Sequence, residues 1–77
     1  MTTRRLGNPI MCSSEPTGDR REDMIRCLIS NATKSGYPDP VLVWGDEARA
    51  IFGIPDDSEY VKQGVYFVGW YVDVQEH

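Results

Sequence analysis

A chain of 77 residues with a net charge of −4 and 40% hydrophobic, 10% aromatic and 26% charged residues makes one small domain and is too rich in aromatic and β-branched residues to stay disordered. Two cysteines, Cys12 and Cys27, are too few for a disulfide-stapled secreted scaffold, and no apolar run is long enough to span a membrane. The start, MTTRRLGNPIMCSS, lacks the apolar stretch of a secretory signal, so a cytoplasmic chain with free thiols is the expectation.

Residues 1–18 read as a weakly structured arm, punctuated by Gly7, Pro9, Pro16 and Gly18. Only residues 9–12, PIMC, suit a short strand, at a sheet edge because Pro9 has no N–H to donate. The folded core is expected over 19–77. Residues 19–35 form the main helix. Asp19 is its expected N-cap, with Glu22 closing a capping box. Met24, Ile25, Leu28, Ile29 and Ala32 share one apolar stripe, and Cys27 lies at its edge as a small, mostly buried residue. Lys34 suits the negative end of the helix dipole, Gly36 the left-handed position after it, and Pro38 prevents continuation.

Residues 41–44, VLVW, read as a buried strand. A two-turn helix follows in GDEARAIFG, with Asp46 as cap, Glu47 in the first turn, a face of Ala48, Ile51 and Phe52, and Gly53 as terminator. Residues 56–64, DDSEYVKQG, allow one more helical turn. The chain closes with GVYFVGWYVDVQ, a strand of about ten residues, longer than the usual five or six. Gly69 in its middle signals a bulge, a bend or a close approach. The order is (β)-α-β-α-β: a small single α+β domain, its main amphipathic helix packed on a short antiparallel-type sheet.

The chemistry-bearing residues are few. His77, the single histidine, is the last residue of the sequence and a poor place for a catalytic base. No phosphate loop, dinucleotide fingerprint or nucleophile elbow is present, and Cys12 and Cys27 lack metal-ligand spacing. A non-enzyme without cofactor or metal is expected. Charge is unevenly divided. Residues 1–38 hold six bases (Arg4, Arg5, Arg20, Arg21, Arg26, Lys34) against four acids, for +2, and residues 39–77 hold two bases against eight acids, for −6. Glu22 and Asp23 interrupt the arginine cluster, which argues against direct nucleic acid binding. The acids Asp46, Glu47, Asp56, Asp57 and Glu59 suit helix caps and first turns. Together they also suit a basic partner surface, of the kind that otherwise holds nucleic acid.

The closing strand poses a problem of cover. One face is Tyr66, Val68, Trp70, Val72 and Val74; the other is Val65, Phe67, Gly69, Tyr71 and Asp73. Both are largely apolar, whereas a strand with one wet face alternates apolar and polar residues. The two helices have apolar surface for one face, so some of Trp44, Val65, Phe67, Trp70 and Tyr71 are expected to stay exposed as an interface, with the five acids on its rim. A homodimer sharing the sheet is one way to cover them, and a different protein is the other. The expected function is a protein–protein interaction module that blocks or regulates a partner. A stand-alone acidic binder of this size suits a phage or mobile element blocking a host nucleic-acid-handling complex, as anti-CRISPR proteins do. The alternatives are a nucleic-acid-binding regulator using the N-terminal arginines and an accessory subunit of an enzyme.

Overall fold

The closing strand is the axis of the molecule. A computed structural model describes residues 2–75, in the order β1 (Thr2–Leu6), β2 (Ile10–Cys12), α1 (Gly18–Lys34), β3 (Val41–Trp44), α2 (Gly45–Phe52), α3 (Glu59–Lys62) and β4 (Tyr66–Gln75). All three other strands pair with β4, and all are antiparallel to it. β3 lies along one edge, with Val41 opposite Tyr71 and Trp44 opposite Val68. β1 and β2 share the other edge end to end, with Thr2 opposite Gln75 and Cys12 opposite Tyr66. The result is a small α+β fold, one main helix packed on an antiparallel sheet.

The segment expected to be a weakly structured arm therefore carries two strands. β2 matches the expected edge strand at PIMC. β1 has no apolar alternation to announce it, and all five of its residues are exposed. Its strand form comes from the ladder with β4. The junction between β1 and β2 holds one residue too many. Leu6 faces Tyr71 and Ile10 faces Val68, so Gly7, Asn8 and Pro9 span the space of Trp70 and Gly69. Such a bulge suits a proline, which brings no donor to the ladder. Gly7 donates its N–H to the Trp70 carbonyl at 2.9 Å, and a Cβ there would overlap the Trp70 indole.

The two faces of β4 are both covered, which corrects the expectation that the helices suffice for one. On one face, α1 brings Leu28 and Ala32 against Val68, Trp70 and Val72, with Met24, Tyr37, Leu42 and Trp44 around them. Trp70 donates its indole N–H to the Asn31 side-chain carbonyl at 3.4 Å, so its one polar atom is satisfied. On the other face, Val43, Ala48 and Phe67 form a second cluster. A two-turn helix succeeds there because it does not work alone. Ile54, Val61 and Val65 from the following turns pack beside Ile51 and Phe52. Gly69 supplies the close approach: a Cβ at that position would overlap the Phe52 ring.

Helix ends follow the expected chemistry at their C-termini more than at their N-termini. After α1, Tyr37 donates to the Ala32 carbonyl at 2.9 Å and Gly36 to Thr33 at 3.0 Å. After α2, Ile54 donates to Arg49 at 3.0 Å and Gly53 to Ala50 at 3.3 Å. Both are the paired closure of a Schellman motif, and Gly53 supplies the left-handed backbone, with φ of 69°. At the N-termini, Thr17 and Trp44 occupy the cap positions and make no side-chain cap bond, so Asp19 and Asp46 act as first-turn acids rather than caps. The α1 stripe is also narrower than expected. Ile29 is 40% exposed and Cys27 is exposed, while Cys12 is half-buried against the α1 cluster; both thiols are free.

Candidate interaction surface

The structure divides the aromatic residues expected to form one patch. Trp44 and Trp70 belong to the α1 face, Phe67 and Tyr71 to the α2 face. Phe67 is 2% and Trp70 3% exposed, so neither offers the free surface expected of it. Phe67 is covered by α2 and the turns after it, and Trp70 by α1 with Tyr37 beside it. Trp44 and Tyr71 are half-buried, and each carries an arginine. The Arg21 guanidinium lies 4.1 Å from the centre of the Trp44 ring, and that of Arg4 lies 4.5 Å from the centre of the Tyr71 ring.

The acids behave differently. Asp46, Glu47, Asp56, Asp57 and Glu59 are all exposed, and all lie on α2, α3 or the turn joining them. Arg49 ties two of them together. It contacts the Asp46 carboxylate at 3.4 Å and also the Asp56 carboxylate, while their side chains remain 99% and 97% exposed. Two basic residues, Arg49 and Lys62, stand against these five acids over residues 45–64. The helical layer on this side of the sheet is therefore a net-negative surface. The Ser58 hydroxyl caps α3 by accepting from the Tyr60 N–H at 3.3 Å, which leaves Asp57 and Glu59 free of capping duty.

Two hollows flank this layer. One, about 390 Å³, is lined by Trp44, Asp46, Arg49, Val65, Tyr66 and Phe67. Some of its polar atoms already serve the fold. Arg49 engages the two aspartates and keeps its Nε buried without a hydrogen-bond partner among the described residues. Burial, together with the negative charge of Glu15, pushes the Tyr66 hydroxyl above its usual range. The other hollow, about 350 Å³, lies between the β1–β2 junction and the turn after α2, and its walls are mostly apolar: Pro9, Met11, Ile54, Pro55, Tyr60 and Phe67. Met11 and Tyr60 were not foreseen as surface residues. They come from distant parts of the chain, and only the fold brings them together.

Half of the eight basic residues, Arg4, Arg21, Arg26 and Arg49, have a partner at home. Arg26 pairs with Asp23 at 3.4 Å, Arg4 with Asp73 at 3.8 Å, and Arg21 stacks on Trp44. Among the described residues no group of three or more His, Cys, Asp or Glu side chains is placed to hold a metal ion, and no helix is long and apolar enough to cross a membrane. His77 lies outside the described residues. The chain matches no protein-family model, no curated protein and no solved structure.

Proposed function

We propose that this protein is a binding module that acts by occupying a basic surface of a partner protein, presenting the acidic layer of α2 and α3. The observation that carries the reading is the exposure of five carboxylates on one layer with a single arginine, Arg49, bridging two of them. Carboxylates held this way are fully hydrated when free and raise the rate of encounter with a positive surface. Three of the five arginines of the opposite half, Arg4, Arg21 and Arg26, contact Asp73, Tyr71, Trp44 and Asp23, which leaves that half a weaker basic surface and supports protein rather than nucleic acid as the partner. Blocking or regulating that partner is the action such occupancy has.

The test is capture of binding proteins by immobilised wild-type chain and by two charge variants. Glu47→Gln/Asp57→Asn/Glu59→Gln neutralises the proposed surface. Asp19→Asn/Glu22→Gln/Asp23→Asn makes the same change of charge on α1. A partner retained by the wild type and the α1 variant, lost from the first variant and released by salt supports the reading. Equal retention by both variants refutes it.

A further inference from the structure

We propose that the apolar groove between the β1–β2 junction and α3 is the seat for a basic segment of the partner protein, one apolar side chain held against Met11, Ile54 and Tyr60 with lysines or arginines beside Asp56, Asp57 and Glu59. This rests on the acidic-surface reading above and adds to it the anchor that charge alone lacks. Met11 is 50% and Tyr60 49% exposed, the two most exposed large apolar residues among those described. Both line the same groove of about 350 Å³. Leu6, Ile29 and Val41, the other exposed apolar residues, lie on β1, α1 and β3 and take no part in it. Exposed apolar side chains gathered in one concavity mark a contact site more strongly than the same residues scattered.

The composition of the groove says what fits. Pro9 and Pro55 stiffen opposite walls, so little order remains to be imposed on binding. Met11 is a side chain that adapts to varied apolar partners. The volume lies near the lower end of the range for small-ligand pockets, which suits one or two side chains rather than a long apolar segment. Asp56, Asp57 and Glu59 sit in the chain between and beside the lining residues Pro55, Ser58 and Tyr60, and no basic residue lines the groove. A second copy of this chain meeting the groove with its own would bring carboxylates against carboxylates, and nucleic acid would bring phosphates, so sign selects a basic segment over both.

The experiment follows the protein by NMR during titration with two synthetic heptapeptides, Lys-Lys-Lys-Phe-Lys-Lys-Lys and its counterpart with Ser in place of Phe, at low ionic strength. The proposal expects the Phe peptide to shift the Met11 methyl, Ile54 and Tyr60 signals and to bind about tenfold more tightly than the Ser peptide. Met11→Ser/Tyr60→Ser should remove that difference, with amide dispersion as the check on folding and Met11→Ser alone as the milder variant. Asp57→Asn/Glu59→Gln should weaken both peptides. If the two peptides bind equally and the Met11 methyl stays still, the groove is overturned, while the acidic-surface reading survives provided Asp57→Asn/Glu59→Gln still weakens them. If neither peptide binds, or that charge variant changes nothing, both readings fall. Self-association that shifts the Met11 methyl as protein concentration rises puts a second copy in the groove and overturns the proposal.

Discussion

The middle of β4 and its C-terminal end differ sharply in surroundings. Between Val68 and Tyr71 the strand has neighbours on both edges and a helical layer over each face. From Val72 to Gln75 it has β1 alone beside it, and Asp73 and Gln75 are exposed. The first region is held by side chains buried on both sides. The second packs Val72 and the half-buried Val74 on the α1 face only, and beyond them it is held by backbone hydrogen bonds between two strands, an arrangement that is marginal when it stands without a core. One strand thus shows both ways in which a chain of this length keeps an extended backbone in place.

The largest expected effect compares one side chain from each region. Trp70→Ala empties the centre of the α1 face and leaves Asn31 without the indole donor. It should destabilise by about 3–5 kcal/mol, a large part of what a domain of this size has. Val74→Ala, on the same face of the same strand, should cost less than about 1 kcal/mol, because its side chain is only half-buried. Urea denaturation of the two variants measures both. Equal losses would mean that the ribbon of β1 and β4 has a core of its own, and the contrast would collapse.

The next effect concerns the cover on the second face. Gly69→Ala places a methyl group where the Phe52 ring now lies. Overpacking of that kind should cost about 1–3 kcal/mol. The double variant Gly69→Ala/Phe52→Leu should be less destabilised than the sum of the two single changes, because the smaller side chain yields the space. Strict additivity would show that α2 reaches the sheet without depending on that contact, and that the second face is covered by the later turns.

The same contrast explains what the sequence revealed. β4 and α1 are legible because their side chains carry the pattern: apolar on both faces in one case, a stripe closed by Gly36 and Pro38 in the other. The glycines gave good guidance, Gly53 as a helix terminator and Gly69 as a place of close approach. β1 is illegible because Thr-Thr-Arg-Arg-Leu has no buried face to pattern, and a strand made by its partner's hydrogen bonds leaves no mark in its own residues. The cover on the second face was underestimated for a related reason. It is assembled from Phe52, Ile54, Val61 and Val65, which belong to no single amphipathic element. In the candidate surface, the acids were readable as a local cluster. The groove was not, since Met11 and Tyr60 stand far apart in the chain and join through the pairing of β2 with β4.

The smallest expected effect asks whether side chains help to hold the ribbon. Arg4 faces Asp73 across the two strands, with its Nε 3.8 Å from the carboxylate, and the two side chains are about half exposed. Its guanidinium also lies over Tyr71, so Arg4→Ala removes two contacts at once. A double-mutant cycle with Asp73→Ala isolates the ion pair, and its coupling energy should be about 0.2–1 kcal/mol. Water and salt reach both groups, so the coupling should fade in 1 M salt, where screening acts within about 3 Å. A coupling that is larger than this and survives salt would place Arg4 among the residues that fix β1. The ribbon would then be organised by side-chain charge as well as by its ladder, and β1 would have carried a readable signal in Arg4 after all.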